Sequence, residues 1–104
     1  MVLKRLFLPL AVLGFACSNP GSGNETPAEA GEDLFNSYCA TCHGRKGNMG
    51  INGAKDLTVS TLSREEMIAV VTNGRRLMMP YKNTLRPKEI EEVVDHALSL
   101  RAKR

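Results

Sequence analysis

At 104 residues and with a formal net charge of +3, the chain has room for one domain at most. Charged residues make up 24% of it and apolar ones 42%, and nothing in it resembles a nucleic-acid-binding module. Trp is absent and aromatics reach only 5%, so a core of side chains alone is short of large apolar groups.

Lys4 and Arg5 precede an apolar run from Leu6 to Ala16 that only Pro9 interrupts. The run is too short for a bilayer, which asks for about 20 apolar residues. A basic start, a short apolar stretch and the small residues Gly14 and Ala16 around Phe15 mark residues 1–16 as a secretory signal peptide. Cleavage after Ala16 makes Cys17 the first mature residue, so the chain is expected outside the cytoplasm, on the periplasmic side of a bacterial membrane. An oxidising compartment leaves thiols paired or modified. Three cysteines cannot all pair internally, so one needs another fate. Cys17 resembles the lipid-attachment cysteine of bacterial lipoproteins, although Gly14 stands where that family usually has an aliphatic residue. The resemblance implies a membrane anchor through a lipid on Cys17; ordinary cleavage with a leftover thiol is the alternative.

From Ser18 to Gly31 the chain reads SNPGSGNETPAEAG, small, polar and without apolar periodicity. Residues 17–31 are therefore expected to be an attachment cysteine and a flexible tether, with a reach of ~20 Å. Residues 32–104 remain as the folded domain. Domains of about 70–80 residues or fewer commonly need a disulfide, a metal or another staple.

The first helix is expected from Glu32 to Gly44. Leu34, Phe35, Tyr38 and Cys42 recur at helical intervals, with Glu32 and Asp33 in the first turn. A second begins at Ser63, where Glu66 completes a capping box, carries Met67, Val70 and Val71 as its apolar stripe, and stops at Gly74. A third opens with Pro87 and runs to about Leu100, with Ile90, Val93, Val94 and Ala97 on one face. No stretch alternates as a strand does, and no repeat is present. The fold class is all-α, three main helices with irregular loops at 45–62 and 75–86.

Cys39, Cys42 and His43 form a Cys-x-x-Cys-His motif at the end of the first helix. A redox dithiol would want a helix start after a strand, and the C-terminal end of a helix disfavours a thiolate. Zinc would need Cys39, Cys42, His43 and His96 together, yet adjacent helical residues point about 100° apart. A Cys39–Cys42 disulfide is a further alternative. Covalent haem attachment explains the spacing best. Residues three apart share a helical face, so both sulfurs can reach the vinyl edge of a porphyrin. The next residue points toward the iron, and His43 becomes the axial nitrogen once both sulfurs are thioethers. The haem would also fill the core.

With these residues the chain resembles the class I cytochromes c, small monohaem electron carriers, over most of Gly31 to Leu100. Gly31, Phe35 and Cys39 match the spacing of that family's first helix, whose glycine packs against the last helix. The Met79-Pro80 pair matches its second signature, which implies Met79 as the far-side iron ligand. Met78 is the neighbouring alternative, and Met49 and His96 are remoter ones; Met67 reads as core. The stretch INGAKDL lacks the proline whose carbonyl usually receives the histidine ring N–H, so another carbonyl must orient His43. His96 stands where an aromatic residue is common, and is expected to pack near Phe35.

The resemblance implies one covalent haem c and one-electron transfer with no catalysis. Its rival is a haem sensor or small haem enzyme with a vacant or labile sixth site. Loss of Lys4 and Arg5 with the signal takes the 14 basic residues to 12 against 11 acidic ones, so charge distribution outweighs net charge. Arg45, Lys46, Arg75, Arg76 and Lys82 flank the haem-site segments. Arg75 or Arg76 would pair with propionates, and the rest would steer an acidic redox partner to the exposed haem edge of a monomeric carrier; an ordinary solvated loop is the alternative.

Overall fold

Thr26 starts the first helix. Its Oγ1 accepts from the Glu29 N–H at 3.2 Å while Glu29 Oε2 accepts from the Thr26 N–H at 2.8 Å. With Pro27 in the first turn, this is a complete capping box. The computed structural model describes residues 24–102, together with Pro9, Ala11 and Gly14. The expected cleavage site, Cys17 and the first part of the tether lie outside the described residues.

Four helices follow in chain order: α1 (Pro27–Tyr38), the single turn α2 (Ala40–His43), α3 (Arg64–Asn73) and α4 (Pro87–Ser99). A 3-10 turn at Ile51–Gly53 interrupts the long middle loop. Among the described residues there is no strand, only an isolated antiparallel bridge between Arg75 and Met78. The all-α expectation holds.

Two local expectations need correction. The first helix begins at Pro27, so residues 27–31, expected in the tether, are helical. That helix is also not continuous to Gly44. It closes at Tyr38, and Cys39 (φ −107°, ψ −35°) turns the chain into α2.

α3 and α4 start where expected. Ser63 Oγ accepts from the Glu66 N–H at 3.1 Å at one, and Pro87 occupies the first turn of the other. The buried core gathers Phe35 from α1, Met67 from α3, Leu85 from the preceding loop, and Ile90, Val93, Val94 and Ala97 from α4. Burying each of the larger of these side chains contributes about 1.5–3 kcal/mol. α4 is thus the common wall against which α1 and α3 pack.

Gly31 makes the α1–α4 contact close. A Cβ there would run into the Glu92 carbonyl, so only glycine lets these backbones approach as they do. One turn along, the His96 ring lies on Phe35 with centroids 5.0 Å apart and planes tilted by 51°. The expected packing of His96 near Phe35 is what the structure has. Between α3 and α4, the Arg64 guanidinium donates to both Asp95 carboxylate oxygens, at 2.7 and 3.1 Å. The tail closes the domain through the Ala102 N–H, which donates to the Thr58 carbonyl at 2.9 Å.

Candidate haem site

The helix break at Cys39 organises the motif. Both the Cys42 and His43 N–H groups donate to the Cys39 carbonyl, at 3.2 and 3.0 Å. One tight turn therefore carries Cys39, Cys42 and His43 together. Both sulfurs are unpaired, which sets aside the disulfide. Burial pushes the Cys39 thiol up to about 11, the opposite of what thiol exchange requires. No strand leads into the turn, so the dithiol reading lacks its scaffold as well. Among the described residues no cluster of three His, Cys, Asp or Glu side chains could hold a metal ion. His96, on α4 against Phe35, does not join the motif as zinc would need.

The loop after α2 folds back to hold the His43 ring. Met49 N–H donates to the His43 carbonyl at 2.8 Å, and Leu57 N–H donates to the Gly47 carbonyl at 2.8 Å. Asp56 Oδ1 accepts from the Thr58 N–H at 2.9 Å, an Asx turn that bends the chain just past Lys55. These contacts leave the Lys55 carbonyl 3.0 Å from His43 Nδ1. A carbonyl only accepts, so Nδ1 carries a proton, and in the neutral ring the lone pair is then on Nε2. That is the tautomer a metal needs, with its orientation fixed from behind. The carbonyl the sequence left unassigned is that of Lys55.

On the other side of the site, Gly74 ends α3 with φ +75°. Its missing side chain admits the Met78 carbonyl and the Pro80 nitrogen, at 2.6 and 2.8 Å from where a Cβ would stand. The Arg75 and Met78 backbones exchange hydrogen bonds of 3.1 and 2.9 Å around Arg76, which sits at φ +55°. Beyond Pro80, Tyr81 and Lys82 N–H groups return to the Val71 and Thr72 carbonyls of α3, at 2.9 and 3.2 Å. Met79 lies between these two pinned stretches and is 71% exposed, whereas Met78 is half-buried.

The Tyr81 hydroxyl crosses to the other segment and donates to the Tyr38 carbonyl at 3.2 Å. Burial raises the Tyr81 phenol above its ordinary value, and the nearby Cys39 and Cys42 sulfurs add to the effect. The methionine-bearing loop is therefore brought beside the cysteine motif. Sequence reasoning missed Tyr81, whose only signal is an aromatic ring directly after Met79-Pro80.

These residues fit a haem. The motif has two unpaired thiols and an oriented imidazole, and the chain between His43 and Pro80 carries apolar side chains that the protein leaves uncovered. Among the described residues the strongly exposed large apolar side chains are Met49 and Val59 at 62%, Met79 at 71% and Leu77 at 82%, all between His43 and Pro80. A porphyrin is the apolar surface such loops would cover.

A family model described as cytochrome c oxidase, cbb3-type, subunit III matches residues 26–96. A cytochrome c6 from Nostoc sp. (strain PCC 7120 / SAG 25.82 / UTEX 2576) is 32% identical over 92% of this chain and 93% of its own length. The chain belongs to the class I monohaem cytochromes c. As such a cytochrome it carries one covalently attached haem c with its iron, in the role of a small electron carrier. Among solved structures, the KustC0563 c-type cytochrome is similar with a TM-score of 0.64 and 28% identity, over 69% of this chain and 98% of that one. Cytochrome c6 from the diatom Phaeodactylum tricornutum follows with a TM-score of 0.60 and 30% identity, over 69% and 91%. The cytochrome's described helices include none long and apolar enough to cross a membrane.

Proposed function

We propose that this cytochrome shuttles one electron at a time between redox proteins on the extracytoplasmic side of a bacterial membrane, with Cys39 and Cys42 attaching the haem and His43 and Met79 as axial ligands. The hydrogen bond between His43 Nδ1 and the Lys55 carbonyl carries the reading, because it fixes the ring from behind and leaves Nε2 as the nitrogen that would reach the iron. Met79 is the far-side candidate because its side chain is open on a loop whose two flanks are tied to α3. Pro80 also holds it toward an extended backbone, which suits presentation from a loop. When bound, the haem supplies an Fe(II)/Fe(III) couple, whose potential a thioether ligand raises.

The protein's own contribution is rigidity and screening. The hydrogen-bonded loops would hold His43 and Met79 so that little has to reorganise as the iron changes charge. With His43 and Met79 both given to the iron, the chain would leave no open site for substrate, which argues for a carrier over an enzyme or sensor. Arg75 or Arg76, both exposed on the turn before Met79, would pair with a propionate, and exposed Arg45, Lys46 and Lys82 would steer an acidic partner. A lipid on Cys17 would hold the monomeric domain at the membrane through its tether.

A spectroelectrochemical titration of the purified holoprotein tests this. The expected result is a single one-electron wave, with the weak far-red band of methionine-ligated ferric haem in the oxidised form. A high-spin ferric spectrum without that band, in protein that readily takes up added ligands, would favour the sensor or enzyme reading instead.

A further inference from the structure

The break at Cys39 leaves a carbonyl without its helical partner. In an unbroken helix the Cys42 N–H would donate to Tyr38; here it goes to the Cys39 carbonyl at 3.2 Å. The Tyr81 hydroxyl fills the place, donating to the Tyr38 carbonyl at 3.2 Å. The two rings also meet edge-on, with centroids 6.1 Å apart and planes at 77°.

Tyr81 is itself held firmly. Its N–H donates to the Val71 carbonyl at 2.9 Å, and its carbonyl accepts from the Thr84 and Leu85 N–H groups at 3.0 and 2.8 Å. Through Leu85, which is 4% exposed, that turn reaches the buried core. One residue thus joins the end of α3, the loop before α4 and the end of α1. It stands two positions after Met79, and Tyr38 stands one before Cys39.

We propose that Tyr81 is a positioning residue, its hydroxyl stapling the Met79-Pro80 segment to the carbonyl ahead of Cys39 so that the two ligand-bearing segments move as one. The inference rests on the Met79 ligation proposed above and deepens it. Swinging Met79 away requires its segment to lift, and lifting that segment at Tyr81 breaks the bond to Tyr38. Tyr38 is 41% exposed, so water can replace the lost donor and the effect belongs at the low end for a hydrogen bond.

The test is the rate at which ferric holoprotein binds added imidazole, a process limited by release of the methionine. Tyr81→Phe keeps the ring against Tyr38 and removes only the hydroxyl. It is expected to raise the imidazole-binding rate roughly 2- to 5-fold while the far-red band persists. Arg64→Ala, which breaks the α3–α4 bridge far from the motif, should lower the melting temperature and leave the imidazole rate unchanged. A wild-type rate in Tyr81→Phe, with the band present, overturns the staple alone. An equal acceleration in Arg64→Ala also overturns it, by reducing the effect to general destabilisation. Absence of the band in the wild type removes the Met79 reading, and the staple falls with it.

Discussion

His43 Nδ1 donates to the carbonyl of Lys55 at 3.0 Å, across a loop that holds no proline between them. The ring is oriented by where the backbone goes, and the side chain of residue 55 has no part in it. Lys55→Pro should therefore be accepted. Ala54 already has ψ 132°, compatible with a following proline. The expected outcome is an unchanged haem spectrum and stability equal to wild type or higher by about 0.4–1 kcal/mol. Thermal melts and absorption spectra of both proteins check it, and a disturbed ferric spectrum would show that the carbonyl had moved.

Gly31 offers the sharpest packing test. Adding one methyl group forces it onto the Glu92 carbonyl, so α1 and α4 must separate while Phe35, only 1% exposed, loses contact with α4. Gly31→Ala should destabilise the holoprotein by about 1–3 kcal/mol. Denaturant melts monitored on the haem would reveal it; a melt unchanged from wild type would mean the helices are less closely apposed.

The Arg64–Asp95 bridge gives a pH dependence of known sign. The hydrogen bonds from Arg64 hold the Asp95 carboxyl below the usual carboxylate range, with slight burial opposing and the guanidinium charge assisting. A depressed folded-state pKa contributes stability that is full above the unfolded value of about 3.9 and is lost as pH falls through the folded one. Asp95→Asn should thus melt earlier than wild type near neutrality, and the gap should close as pH falls through the lowered folded-state value. Both side chains are substantially exposed, so the gap is small and shrinks in high salt. A gap that survives at low pH would assign it to packing.

The anchor has its own test. Cys17→Ser should move the cytochrome from the membrane to the soluble fraction without altering its spectrum, and mass spectrometry of the wild type should find at least two acyl chains, since one binds only marginally. A soluble wild type with a free N-terminal cysteine would remove the tether.

Much of the fold was legible because its signals are local. Ser63 with Glu66, Pro87, and the stripe Ile90–Val93–Val94–Ala97 each declare a helix within one or two turns. The motif of Cys39, Cys42 and His43 is equally local, but the helix break at Cys39 inside it is not visible in the spacing. The start of α1 escaped because residues 27–31 carry no apolar periodicity, although Thr26 and Glu29 form the capping box that Ser63 and Glu66 form at α3. The Lys55 carbonyl was not legible at all, since every residue has one and only the loop's path selects it. Tyr81 lies between these cases. Its position after Met79-Pro80 is visible, but its partner Tyr38 is 43 positions away and is met only through the fold.

The choice of a carrier over a sensor or enzyme turns on a methionine sulfur reaching the iron, and the adjacent methionines allow a direct contest. Met78 is tied by its backbone into the bridge with Arg75, while Met79 is open on the loop. The measurement is the far-red absorption band and the reduction potential of ferric holoprotein for Met79→Ala and Met78→Ala beside the wild type. The account predicts that Met79→Ala abolishes the band and lowers the potential, because a soft thioether favouring Fe(II) is lost. Met78→Ala should keep the band. The opposite pattern would move the ligand to Met78, and a band that survives both substitutions would contradict ligation from this loop altogether.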